Sequence, residues 1–161
     1  MRRAEAFLPW IGLVIRLAAA GIWLAAGIAK LADLEHFRTQ VAAYDVLPHA
    51  LVGPFAYALP FLEVGIGLYL AVGLWVRPVA IVACGLMVVF IAAQAQAWYR
   101  GLVLDCGCFG AVAQEKVGLT TILRDVALGL PSLAMAIWPA RRLSLDSYWL
   151  GRPDRFAIGE S

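Results

Sequence analysis

The chain reads as all-α: an integral membrane four-helix bundle with both termini cytoplasmic and a short interfacial amphipathic helix in the first outer loop. Three observations lead there. Of 161 residues, 63% are hydrophobic and 15% charged, against about 45–50% and about 25% in a soluble domain. Four apolar windows of 20–23 residues divide the chain, and about 20 residues at 1.5 Å rise cross a hydrocarbon core of ~30 Å. Helix is the state that closes every backbone hydrogen bond in lipid over such lengths, which are twice that of a barrel strand. The same composition excludes disorder, a small disulfide scaffold and a conventional soluble enzyme domain. A net charge of +2 offers no footing for nucleic acid.

The first span is expected over 10–29, with Arg16 as its single charge. It exceeds the 7–15 apolar residues of a cleaved signal peptide and Arg16 interrupts it, so it reads as a retained helix. In the following loop, 30–52, Leu34, Phe37, Val41, Tyr44 and Leu47 recur at three- and four-residue spacing, against a polar set of Lys30, Asp33, Glu35, His36 and Arg38. That pattern predicts a surface helix ending near Pro48. The second span, 53–75, carries Glu63, and the third, 79–99, carries no charge. Cys84 in the third span reads as a small packing residue. The fourth span, 119–138, contains Arg124 and Asp125. Pro60 and Pro131 are expected to kink their helices, and Gly21, Ala25, Gly65 and Gly67 to allow close helix packing. Residues 1–139 then form one four-span domain, followed by a polar cytoplasmic tail, 140–161.

Orientation follows from the basic residues. One side holds Arg2, Arg3, Arg77, Arg141, Arg142, Arg152 and Arg155, and the other Lys30, Arg38, Arg100 and Lys116. The richer side is cytoplasmic by the positive-inside rule. The expected location is the cell membrane, with the loops 30–52 and 100–118 facing outward.

The second outer loop holds Asp105-Cys106-Gly107-Cys108-Phe109-Gly110. Two cysteines separated by one glycine close a disulfide only through a tight ring, and strained exposed disulfides are the labile ones. The outer face is the side where disulfides persist. Three readings stand: a redox-active dithiol, a structural bridge or pair of inert thiols, and a metal site completed by His36 and His49. Asp105 raises a neighbouring thiol pKa if ionised, whereas Lys116 or Arg100 lowers it.

Charges inside spans are costly, so Arg16, Glu63, Arg124 and Asp125 are expected to face the bundle and pair. Glu63, near the midplane, is expected to be either neutral or bonded to a partner such as Arg16 or Arg124. Thr121, Asp125, Leu128 and Ser132 share one face of the fourth span, and Arg16, Ala20, Trp23, Gly27 and Lys30 one face of the first. With Gln94 they can line a polar pocket beneath the cysteines, for a quinone, a thiol substrate or protons; the alternative is that they only satisfy one another.

Several segments resemble the methylamine-utilisation MauE family, within the broader DoxX-like membrane proteins. They are Arg16-Leu17, Gly21-Ile22-Trp23, Gly27-Ile28-Ala29-Lys30-Leu31, Tyr44-Asp45-Val46-Leu47-Pro48, Leu59-Pro60-Phe61-Leu62-Glu63, the stretch from Arg100-Gly101 through Cys106-Gly107-Cys108-Phe109-Gly110, and Arg124-Asp125. The resemblance implies a four-helix membrane protein that assists maturation of a disulfide-rich exported protein beside a thioredoxin-like partner. On the DoxX side it implies thiol, sulfur or quinone redox chemistry.

The leading expectation is a membrane thiol–disulfide oxidoreductase with Cys106 and Cys108 as its reacting groups. Asp105, Arg124, Asp125, Lys30, Glu63 and Arg16 would support them, and a thioredoxin-like protein or a quinone would exchange electrons. The alternatives are a non-catalytic subunit of a redox or export assembly with a structural cysteine loop, and a carrier of sulfur or metal on the same thiols.

Overall fold

The computed structural model describes residues 2–102, 104 and 116–138, with side chains from residue 10 onward. All regular elements among the described residues are helices: α1 (Arg2–Ala32), α2 (Leu34–Ala43), α3 (His49–Val72), α4 (Val76–Tyr99) and α5 (Leu119–Ile137). Four of them are long and apolar enough to cross a membrane: α1 from Trp10, α3, α4 and α5. This is a helical membrane bundle. The expected tail, 140–161, lies outside the described residues.

The helix ends explain the register. Asp33 stops α1 and caps α2, its carboxylate accepting from the His36 amide at 3.0 Å. The second span begins at His49, after Pro48, and not at 53. It ends at Gly73, whose φ of 76° lets its amide reach the carbonyls of Tyr69 and Leu70. That termination, invisible in an apolar run extending to Trp75, brings the helix end three residues forward. Gly118 supplies no capping side chain, so the Thr121 hydroxyl takes over. It accepts from the Gly118 amide at 2.9 Å and donates to the Gly118 carbonyl at 2.8 Å.

The long helices form a ring in which α1 packs on α3 and α5, and α4 on α3 and α5. The α1–α3 contact is the most intimate. A Cβ at Gly67 would lie 2.9 Å from the Leu24 nitrogen and 3.0 Å from the Ala20 carbonyl. One at Gly27 would lie 2.9 Å from both the Pro60 carbonyl and the Val64 nitrogen. Gly21 and Gly65 have open space where a Cβ would go. The close-packing glycines are therefore Gly27 and Gly67, and the expectation for Gly21 and Gly65 is corrected. Spacing along the helix decides this, since residues 21 and 65 point away from the α1–α3 seam.

These contacts also show a stagger. Gly27 meets Pro60 and Val64, so α1 ends level with the middle of α3. Helix α2 packs on the half of α3 that α1 leaves uncovered. Phe37 buries against Ala56 and Leu59, and the Tyr57 hydroxyl donates to Glu35 at 3.2 Å. The outward faces of α1, α3, α4 and α5 expose Val14, Phe61, Val88 and Leu123, which suits a lipid surround.

Because the α1–α3 seam is backbone against backbone, overpacking it costs about 1–3 kcal/mol. Gly67→Val and Gly27→Val are expected to lower the melting temperature in detergent, with Gly21→Val and Gly65→Val close to wild type. Equal melting of all four would contradict the seam.

Candidate functional site

Among the described residues, most of the buried polar side chains gather in the half of the bundle where α3 begins, α4 ends and α5 begins, termed the loop end. Lys30 is 1% exposed and Glu63 0%. The Lys30 Nζ lies 2.9 Å from each Glu63 carboxylate oxygen. It also sits 5.6 Å from the ring centroids of Phe37 and Phe90, within cation–π range. A charge held in lipid is tolerated when paired and hydrogen-bonded, and this pair meets both conditions.

The expected partners of Glu63 were Arg16 or Arg124, and the structure corrects this. Lys30 was placed in the outer loop because the apolar window ends at Ala29. The stagger of α1 on α3 instead carries Lys30 to the level of Glu63. Arg16 is also buried, at 2% exposure, but it lies 14 positions from Lys30 along α1, or about 21 Å. It belongs to the opposite half of the bundle, where its helix packs near Leu70 and Met135.

Across the bundle, Gln94 of α4 donates from Nε2 to Asp125 Oδ2 of α5 at 2.6 Å. The Arg124 guanidinium donates from Nε and Nη2 to Asp125 Oδ1, each at 3.2 Å. Two turns deeper, Trp23 Nε1 donates to Ser132 Oγ at 3.0 Å, joining α1 to α5. A cavity of about 30 Å³ separates Glu63 and Lys30 from Asp125, wide enough for water. Members of both ion pairs thus border one small, mainly apolar space. Of the expected faces, Thr121, Asp125 and Ser132 on α5 and Arg16, Ala20, Trp23, Gly27 and Lys30 on α1 are buried, and Leu128 is half-buried.

A second cavity, about 150 Å³, lies between α2, α3 and α4. Lys30, Phe37, Gln40, Tyr44, Phe90 and Gln94 are among its lining residues. Sequence reasoning did not single out Gln40 or Phe90. Gln40 left one faint signal: it follows Phe37 by three on the face that the apolar pattern marks as buried, and a carboxamide there is out of character.

Cys106, Cys108 and Asp105 lie outside the described residues. The two ends of their loop do not. The Val117 amide donates to the Leu104 carbonyl at 2.8 Å. Leu104 and Leu102 pack with Tyr44 against Ala97 and Val117. Arg100 pairs with Asp45 at 3.4 Å, tying the end of α4 to the α2–α3 turn. The base of the cysteine loop therefore rests on the same residue, Tyr44, that lines the larger cavity. For the metal alternative, His36 is engaged by Gln40 at 2.9 Å and His49 opens α3. No group of three or more His, Cys, Asp or Glu able to hold a metal occurs among the described residues.

Comparison with known proteins decides the family: residues 8–139 match the family described as methylamine utilisation protein MauE. The chain belongs to the MauE family. The methylamine utilization protein MauE of Methylophilus methylotrophus is 36% identical over 133 residues, covering 81% of this chain and 70% of the relative. Its namesake in Paracoccus denitrificans is 33% identical over 129 residues, covering 80% and 69%. That of Methylorubrum extorquens is 33% identical over 129 residues, with the same coverage. No solved structure matches the chain. The MauE match spans all four long apolar helices and both polar pairs, which fits a multi-pass membrane protein.

The ion pair gives a direct test. Lys30→Met or Glu63→Leu alone strands a charge in the interior and should cost about 3–5 kcal/mol. The double variant should recover most of that loss in a detergent unfolding series. Additive losses would mean that the two side chains are not coupled.

Proposed function

We propose that this MauE-family chain is a membrane thiol–disulfide redox protein of methylamine utilisation. In this reading Cys106 and Cys108 alternate between dithiol and disulfide and assist maturation of a disulfide-rich exported protein. A thioredoxin-like extracytoplasmic protein is the thiol partner. The chain sits in the cell membrane with both termini cytoplasmic, so that the cysteine loop faces the oxidising side.

One observation carries the reading. Leu104 and Val117, which bracket the cysteine segment, are joined by a hydrogen bond at the end of the bundle that holds most of its buried polar side chains. Leu104 is two residues before Cys106 and Val117 nine after Cys108. Thiol exchange needs sulfurs that a partner's disulfide can approach in line, and flanks anchored to helices favour that. In the exchange step a thiolate of one protein attacks a sulfur of the other's disulfide. A mixed disulfide forms and one thiolate leaves. The second thiolate of the attacking pair then displaces the mixed bond, so one disulfide is consumed and one is made.

The polar groups beneath act as supports. Asp125, held by Gln94 and Arg124, anchors the first turns of α5, where the loop ends. Lys30 and Glu63 lock α1 to α3 behind it. Asp105, adjacent to Cys106, tunes thiolate formation by its charge. Arg16, in the other half, is structural.

Membranes from cells producing Cys106→Ser or Cys108→Ser test this. At least one variant is expected to accumulate a covalent partner that reductant releases and that the double variant lacks, with growth on methylamine impaired in all three. No captured partner together with normal growth of every variant would overturn the thiol reading, and leave a subunit with a structural loop.

A further inference from the structure

The cavity between α2, α3 and α4 has polar residues on its wall and no polar surface to offer a guest. Lys30, Gln40 and Gln94 each turn their polar ends away. The Lys30 ammonium reaches both oxygens of Glu63, Gln94 donates to Asp125, and the Gln40 amide meets His36. What they present to the cavity is hydrocarbon stem, beside Phe55 and Phe90. A chamber of about 150 Å³ with such walls stays dry and takes an apolar guest on the order of six carbons in size. Water, an ion or an oxygen-bearing ring gains no hydrogen bond there.

The mouth shows where the guest comes from. Val89 and Val46 line the cavity and are 54% and 49% exposed. Val89 belongs to the span α4 and is exposed together with Val88, so the cavity is continuous with the surface that the bilayer covers. Phe90 and Gln94 are nine and five residues from the end of α4, which puts the cavity about 8–14 Å below the helix end. In a hydrocarbon core of ~30 Å that depth is filled by chain carbons. Val46, the other lip, lies in the turn between α2 and α3. Its neighbour Asp45 pairs with Arg100 at 3.4 Å, and both side chains are exposed. A guest whose chain lies in the cavity therefore has its head beside one charge of each sign. A zwitterionic phospholipid matches both, its phosphate complementing Arg100 and its ammonium Asp45. A fatty-acid carboxylate matches one of them.

We propose that this cavity holds one acyl chain of a zwitterionic bilayer phospholipid, inserted past Val89 between α2 and α4, with the headgroup over Asp45 and Arg100. The chain completes the packing of α2. Toward α3 this helix buries Phe37 against Ala56 and Leu59. Toward α4 the cavity takes up the space, and the chain fills it. The site uses no cysteine and is independent of the thiol reading above.

Photolabelling of the full chain in nanodiscs of phosphatidylethanolamine tests the site. The probe is a trace of the same lipid with a diazirine at mid-chain, and adducts are mapped by peptide mass spectrometry. Leu59 lines the cavity and is 3% exposed, whereas Val88 is 65% exposed on the lipid face. Wild type is expected to carry adducts at both. Ala93→Trp, which fills the cavity, should lose the Leu59 adduct and keep the one at Val88. Ala93→Leu fills it less and should lower the Leu59 adduct, which keeps the test open if the larger side chain prevents folding. A cooperative thermal transition identifies the folded variants. Arg100→Ala should lower the Leu59 adduct about threefold, the loss of one exposed charge contact. A mid-chain diazirine fatty acid at the same mole fraction should label Leu59 several-fold less than the phospholipid does. No Leu59 adduct in wild type, or an undiminished one in both folded filled variants, overturns the site. Leu59 labelling that ignores Arg100→Ala, or that the fatty acid equals, overturns the phospholipid as its occupant.

Discussion

A single ammonium group organises the loop-end half of this protein. The Lys30 Nζ is contributed by α1, its counter-charge Glu63 by α3, and the two rings that flank it by α2 and α4. Left alone in a bundle surrounded by hydrocarbon, either charge would be severely penalised. Paired through both carboxylate oxygens and covered by aromatic faces, the two define one relative height for four helices. Any slip of α1 along α3 would uncover them. This is the constraint behind the stagger, because it forces α1 to stop level with the middle of α3 and leaves the rest of α3 for α2.

The remainder of the polar tier obeys the same rule by a different route. Asp125 takes hydrogen bonds from Gln94 and Arg124, and Ser132 takes one from Trp23. Each links two helices or neighbouring side chains that apolar packing alone would not hold in register. Between the two ion pairs lies a small space, and beside it the larger apolar cavity. Lys30 borders both. The flanks of the cysteine segment, Leu104 and Val117, meet Tyr44 at the same end. A charged pair, an apolar chamber and those flanks therefore share one end of the bundle. The family relatives carry the name of methylamine utilisation.

Much of this was legible in the residues. The four long helices follow from apolar runs whose length matches a bilayer. The amphipathic pattern after Lys30 marks α2, although the helix ends at Ala43 and not near Pro48. A residue of positive φ, Asp45, then makes the turn. Thr121, Asp125 and Ser132 were placed on one face by helical periodicity alone, and all three are buried. The pairing of Glu63 was less legible. Its partner was sought among charges inside the apolar windows, which removed Lys30 from view by one residue. Of the three glycines expected to pack closely, one does, for a related reason: Gly67 meets Ala20 and Leu24, whereas Gly65, two positions away, points elsewhere.

By itself the sequence determined class, span number, buried faces and family, because these depend on local length, periodicity and residue type, which one-dimensional pattern carries directly. Only the tertiary structure decided which charge meets which, how far α1 slides along α3, and that Gln40, Phe90 and Tyr44 surround a common cavity. Those are facts of relative height and rotation between helices distant in the chain. Periodicity fixes which way a side chain faces on its own helix, but not what stands opposite it.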